Sequence, residues 1–272
     1  MPHLGGPEMN FQGIGNNKVA FVSRGAGLSL VLIHGLGQDH RIWAEIQPAL
    51  ADYTTIAYDL RGHGQSPVGD ADGTLAQLGE DLSTFLAATG PAVCIGFSLG
   101  GVIALWAATA RPDLVKGVIA VATSSVVGKA ADAALAERIE LFESASDERI
   151  YELLFTDTSS QVVDPNLDVA AITRARVEAV GDRSGYLNGA RAVRSMREVS
   201  VNERLGSITV PVLIINGEGD QWCPRRAAEI MLEQLPEASF IELPGVGHLI
   251  TDEDPTSLVT AISRWLQSEG QS

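Results

Sequence analysis

The chain is poor in cysteine and in basic residues, and it holds no long apolar run. Its 272 residues include two cysteines, Cys94 and Cys223, far apart in sequence. Two isolated thiols make no disulfide framework and point to a reducing, cytoplasmic compartment. Neither has histidine or cysteine neighbours at ligand spacing, so no metal site is expected. Lysine and arginine number 19 against 34 aspartates and glutamates, a net charge of −15. A surface of that sign repels nucleic acid and anionic membranes, and neither is expected as a partner. No stretch approaches the roughly 18 uninterrupted apolar residues of a membrane span. Met1 to Gly15 is rich in Gly, Pro and Asn and lacks the basic start and apolar core of a secretory signal. The part before Met9 reads as a vector remnant or an alternative start. What the chain does have is apolar material: 45% of it is hydrophobic, enough for one large core and too much for a disordered chain. The expected partner is a small-molecule substrate.

Short apolar runs recur along the chain. Lys18 to Arg24 alternates, and Leu28–Ile33 is almost purely apolar. Tyr53–Tyr58, Ala92–Phe97, Val115–Ala122, Val210–Ile215 and Ser239–Leu243 repeat that pattern. Such runs suit strands buried on both faces of a parallel sheet. Helical spacing lies between them, at Ala76–Ala88, Leu99–Ala110, Ala227–Leu235 and Leu258–Leu266. Strand–helix alternation predicts an α/β fold, a mostly parallel sheet with helices on both faces. The alternation stops from Ser124 to Gly206, where four helical patterns and no strand appear. We therefore expect a core of residues 1–123 and 207–272 with a helical cap, 124–206, inserted between two strands.

The segment Gly96-Phe97-Ser98-Leu99-Gly100 follows a predicted strand and opens a predicted helix. A strand-to-helix turn this sharp strains the serine and leaves no room for side chains two residues away, so glycine flanks it. Ser98 is the candidate nucleophile. A serine hydroxyl needs a base, and a histidine held by a carboxylate supplies one. Of five histidines, His248 follows the last predicted strand and is the candidate. His34 and His63 read as loop braces, and His3 and His40 as surface residues. The acid should follow a late strand and precede the base. Asp220 does so; its neighbour Glu218 is a rival that reads as a solvated side chain. An oxyanion needs preorganised donors. The backbone N–H of Leu99 is one, and that of Leu36, in His34-Gly35-Leu36-Gly37 after an early strand, is the other.

Taken together, HGLG at 34–37 followed by Trp43, DLRGHGQS at 59–66, GFSLGG at 96–101, GEGD at 217–220 and GVGH at 245–248 resemble the α/β-hydrolase superfamily over Lys18 to Leu266. Within it the chain looks most like the small esterase and 3-oxoadipate enol-lactonase group. Gly185-Tyr186 leading into Ala192-Val193-Arg194 adds to that likeness. The resemblance implies a Ser–His–Asp hydrolase with a helical cap and no cofactor. Serine at the nucleophile position departs from the haloalkane dehalogenase pattern.

The expected reaction is ester or lactone hydrolysis through an acyl-enzyme. C–C bond hydrolysis or a cofactor-independent elimination or perhydrolase reaction on the same triad is the alternative, and a ligand receptor is a more distant one. Residues 174–197 carry six arginines against Glu178 and Asp182. If Arg191 and Arg194 face the pocket, they suit a carboxylate-bearing substrate; otherwise Arg194 pairs with Glu198 on a solvated helix face. Trp222 and Cys223 follow Asp220 and either border the pocket mouth or pack the loop, and Trp106 reads as core.

Overall fold

The computed structural model describes residues 8–269. His3 lies outside them. Among the described residues eight strands make one sheet: β1 (Met9–Ile14), β2 (Asn17–Arg24), β3 (Ser29–Ile33), β4 (Thr54–Tyr58), β5 (Ala92–Phe97), β6 (Val115–Val121), β7 (Val212–Gly217) and β8 (Ser239–Leu243). Their spatial order is β1-β2-β4-β3-β5-β6-β7-β8. The β1–β2 and β2–β4 pairs are antiparallel and the remaining pairs parallel. The helices are α1 (Ile46–Ala49), α2 (Leu75–Thr89), α3 (Leu99–Ala110), α4 (Lys129–Ser144), α5 (Asp147–Gln161), α6 (Val169–Val180), α7 (Ser184–Ser195), α8 (Arg225–Gln234), α9 (Ile250–Glu253) and α10 (Pro255–Glu269). Among the described residues no helix is long and apolar enough to cross a membrane.

The apolar runs are buried because both sheet faces are covered, and successive side chains divide between the two layers. Val31, Ile33, Cys94, Val118, Ala120 and Ile214 point toward α2, α3 and α8. Their neighbours Leu30, Leu32, Val93, Ile95, Ile119, Val121, Leu213 and Ile215 pack with α1, α9 and α10 on the opposite face. Trp106 is buried on the first side, its ring filling the space where Gly79 lacks a Cβ. Some elements differ from the sequence expectation, among them α1 and α9, each a single turn too short to leave a periodic pattern. β1 is an edge strand whose Phe11 is exposed, so its pattern is too weakly apolar to announce it. β7 begins after Pro211, two residues later than expected, since proline has no N–H to give the ladder.

Helices α4 to α7 and a 3-10 turn at Asn202–Ser207 lie between β6 and β7, with no strand among the described residues. They enclose a small core of their own, including Ile139, Phe142, Leu154, Val180, Tyr186 and Ala190, with Leu36 of the sheet edge packed against it. Toward its end the insert merges with the main core, which Ala192, Met196, Val201 and Leu205 join. In a parallel sheet the carboxyl ends of the strands share one edge, and there the loops after β3, β5, β7 and β8 meet under the insert.

Candidate active site

Ser98 stands between β5 and α3 at φ 52°, ψ −115°, a left-handed conformation that costs a non-glycine residue of order 1–3 kcal/mol. Crowding fixes the turn. A Cβ on Gly96 would run into the Gly100 carbonyl, and one on Gly100 into the Ile33 carbonyl. The Ser98 backbone is pinned on both sides, its N–H donating to Val121 O (2.8 Å) and its C=O accepting from Thr123 Oγ1 (2.6 Å). The direction of its Cα–Cβ bond is thereby fixed.

The loops after β7 and β8 bring the other two candidates to it. His248 Nε2 lies 3.2 Å from Ser98 Oγ, and His248 Nδ1 lies 2.8 Å from Asp220 Oδ2. Asp220 and His248 are buried, and Ser98 is half-buried. The second Asp220 oxygen accepts from the N–H groups of Trp222 and Cys223, both at 2.8 Å. With Oδ1 held by the loop, Oδ2 is left for the imidazole. Glu218 does not compete. It is exposed and accepts from Gly245 N–H (2.9 Å).

The turn after β3 presents one unclaimed amide. Gly35 N–H donates to Gln38 Oε1 (3.1 Å) and Gly37 N–H to His63 Nε2 (3.3 Å), while Leu36 N–H between them has no acceptor among the described residues. Leu99 is the first residue of α3, where an amide has no intrahelical partner. Both side chains are covered by α7, since a Cβ on Gly189 would meet Leu36 Cδ1 at 2.7 Å and Leu99 Cδ2 at 3.2 Å.

The other histidines near this edge are braces. His34 Nε2 accepts from Leu60 N–H (2.8 Å) while Nδ1 faces Gly35 O (2.7 Å). His63 Nδ1 faces Arg61 O at 3.2 Å, its Nε2 taken by Gly37. Burial lowers the pKa of both, that of His63 to about 3, so they are neutral hydrogen-bonding groups. His40 corrects the surface reading. It is half-buried, and its Nδ1 and backbone N–H both meet Asp59 Oδ1, at 2.7 and 2.8 Å. Burial opposes charge on His40, but the bond to Asp59 and the carboxylate's charge more than offset it, and its pKa is raised.

The cap arginines also differ from expectation. Arg191 pairs with Glu143 at 2.6 Å and Arg194 with Asp132 at 2.6 Å, both partners on α4. Arg194 thus does not use Glu198, which lies beyond the end of α7. Arg183 reaches Asp147 and the carbonyls of Phe142 and Ala145. Residue 191 projects from α7 nearly opposite Gly189, the residue that covers Leu36 and Leu99. The last part of the basic stretch therefore fastens α7 to α4 by ion pairs, and the structure does not bring Arg191 or Arg194 to Ser98. Trp222 is brought there. Its ring lies 6.1 Å from the His248 ring at 27°, and its Nε1 donates to Ser160 Oγ (3.2 Å).

Sequence reasoning missed the cap residues beside that tryptophan. The Arg138 guanidinium lies over Trp222, 5.4 Å from the ring centroid, and pairs with buried Asp157. Tyr186 stacks on Phe142 with centroids 3.7 Å apart and borders Gly37, and burial pushes its phenol up to about 12. Nothing in the local sequence marks Arg138 among the other charges of its helix. Arg176 is buried, donates to Thr158 Oγ1 (2.9 Å), and leaves its Nε unpaired beside a cavity of about 100 Å³ that Gln38, Arg41 and Asp252 also line.

Among the described residues, two groups hold metal-ligand types within 4.8 Å of one another, Asp220–Cys223–His248 and Asp39–His40–Asp59. In both, N–H donors already occupy the carboxylates. Burial also raises the Cys223 pKa, which disfavours a thiolate ligand.

Known proteins share this arrangement of sheet and insert. The 3-oxoadipate enol-lactonase 1 of Acinetobacter baylyi is 27% identical over 249 residues, 88% of this chain and 89% of that protein. The 2-(acetamidomethylene)succinate hydrolase of Mesorhizobium japonicum is 25% identical over 260 residues, 90% of each. The crystal structure of the enol-lactonase from Burkholderia xenovorans superimposes with a TM-score of 0.85 over 95% of this chain and 100% of that one, at 20% identity, a likeness of fold. The profile of the alpha/beta hydrolase family matches residues 30–261, most of the sheet and the whole insert. The chain belongs to the alpha/beta hydrolase family.

Proposed function

We propose that the protein is a serine hydrolase that cleaves a carboxylic ester or lactone of a small molecule. One observation carries the reading: a strained, half-buried Ser98 lies 3.2 Å from His248 Nε2, whose Nδ1 is 2.8 Å from a buried, loop-held Asp220. In this reading His248 takes the Ser98 proton as Oγ attacks the carbonyl, and Asp220 fixes the tautomer and stabilises the imidazolium. The Leu36 and Leu99 amides receive the oxyanion. His248 then passes its proton to the leaving alkoxide and activates water to release the acid. The name of the Acinetobacter baylyi relative favours a lactone over C–C chemistry. Both named relatives act on acids or their precursors, which supports a carboxylate-bearing substrate. Arg138, over Trp222 beside His248, would meet that carboxylate through Nη1, since its Nε and Nη2 are held by Asp157. A fluorophosphonate probe tests the chemistry: Ser98 is labelled in the wild-type chain, and absence of labelling overturns the reading. Turnover of enol-lactones, neutral aryl esters and β-dicarbonyls compared side by side identifies the bond.

A further inference from the structure

One carboxylate outside the triad holds three backbone amides. Glu253, the last residue of α9, accepts from Gly247 N–H through Oε2 (2.7 Å), and from Val163 and Asp164 N–H through Oε1 (2.5 and 3.0 Å). Gly247 immediately precedes His248. Val163 and Asp164 belong to the link between α5 and α6 of the cap. A second bond crosses the same seam, for Gln161 C=O accepts from His248 N–H at 2.7 Å and from Leu249 N–H at 3.4 Å. The approach requires glycine at 247, where a Cβ would stand 2.5 Å from Gln161 O and 2.7 Å from Glu253 Oε2. The Asp220 loop joins the junction, with Gly219 N–H donating to Val246 O (2.8 Å) and Gly219 abutting Val163. Hydrogen bonds to an ionised acceptor are stronger and more directional than neutral ones.

Resting on the triad reading above, we propose that Glu253 is a positioning residue. It ties the α5–α6 link to the backbone of His248, so that the imidazole stands between Asp220 and Ser98 only while this end of the cap is seated. Proton transfer tolerates little displacement, and a shift of about 1 Å costs about 10²-fold in rate. Glu253 touches no reacting atom, so its effect runs through His248 and falls on kcat.

The test combines two variants and two kinds of readout. Glu253→Gln places an amide N–H₂ against one set of backbone donors. Val163→Pro deletes one donor from the cap side and leaves Glu253 and the His248 loop chemically unchanged; Val162 before it is already extended, at φ −112° and ψ 149°, as a pre-proline residue requires. With a neutral aryl ester, Glu253→Gln is expected to lower kcat about 10- to 100-fold while KM stays within about twofold, and Val163→Pro to lower kcat by a smaller factor. In both, the amides of Gly247 and His248 exchange hydrogen faster together with that of Asp164, and the low-field NMR proton of the His248–Asp220 bond broadens or is lost. A folded Glu253→Gln chain with wild-type kcat overturns the proposal, as does loosening confined to the cap side. If Glu253→Gln fails to fold, Val163→Pro decides, and unaltered exchange at Gly247 and His248 in it overturns the proposal. If the wild-type chain neither turns over esters nor takes a fluorophosphonate, the hydrolase reading fails; exchange and the His248 proton still decide whether Glu253 holds the loop.

Discussion

The sheet edge and the cap face each other across Ser98, yet they hold their functional groups by different means. At the edge, position is set by backbone: a left-handed serine, carbonyls packed where a Cβ would be, and loop amides closing on Asp220 Oδ1. In the cap, position is set by long side chains paired across helices, Arg138 with Asp157, Arg191 with Glu143 and Arg194 with Asp132. Backbone placement leaves few rotatable bonds between scaffold and reacting atom, which suits chemistry that tolerates small displacements. The more exposed pairs, Arg191 with Glu143 and Arg194 with Asp132, contribute about 0–1 kcal/mol each and can be exchanged without disturbing the sheet. Under the proposed function, the contrast places reaction at the edge and substrate choice in the cap.

The largest expected effect is at the edge. Ser98→Ala should lower turnover by about 10⁴- to 10⁶-fold with an unchanged circular dichroism spectrum. Wild-type turnover in that variant would break the comparison outright. Next comes the response of stability to acid. His63, neutral in the fold with a pKa of about 3, takes a proton in the unfolded chain below the ordinary value near 6.5. The unfolded state then binds more protons, and stability falls by about 1.4 kcal/mol per pH unit from 6.5 toward 3 for such a histidine. His34, shifted in the same direction, adds to the slope. His40 works the other way: its raised pKa contributes stability below pH 6.5 that is lost as pH rises through its folded value. Urea titrations at pH 6.5 and 5 should show the loss, and His63→Gln should reduce it; an equal loss in the variant would mean the edge braces are not what acid attacks.

Smaller effects belong to the cap. Arg138→Gln should raise KM for a carboxylate-bearing lactone about tenfold, the scale of one charge-assisted contact, and leave a neutral ester unaffected. Equal changes on both substrates would remove Arg138 from recognition. Smallest of all, Arg191→Ala and Arg194→Ala should each change stability by less than about 1 kcal/mol and leave KM for acidic and neutral substrates alike. A selective rise in KM for the acidic substrate would return these residues to the pocket.

That same division governs what the sequence could tell. Ser98, Asp220, His248 and the Leu36 turn are legible because strand, turn and glycine each leave a local mark. The alternating cores behind β3, β5 and β7 are legible for the same reason. The cap's wiring is not. Arg194 meets Asp132 across 62 residues and Arg191 meets Glu143 across 48, and no local pattern records which acid a given arginine will reach. Arg191 and Arg194 of the basic stretch thus became paired charges in space, while Arg138, ordinary in its own helix, came to lie over Trp222. His40 escaped for a like reason, since Asp59 is 19 residues away on another loop.

Gly185, at the start of α7, and Gly62, in the turn after β4, approach so closely that a Cβ on either would strike the other's backbone. Each is already the smallest residue there is, so a substitution at one cannot be rescued by shrinking the other. Exposed positions of the insert can change one residue at a time without meeting another backbone, but this crossing point admits no single-step detour. New specificities are therefore expected to arise by changes away from it, with α7 still anchored at the same place on the sheet edge.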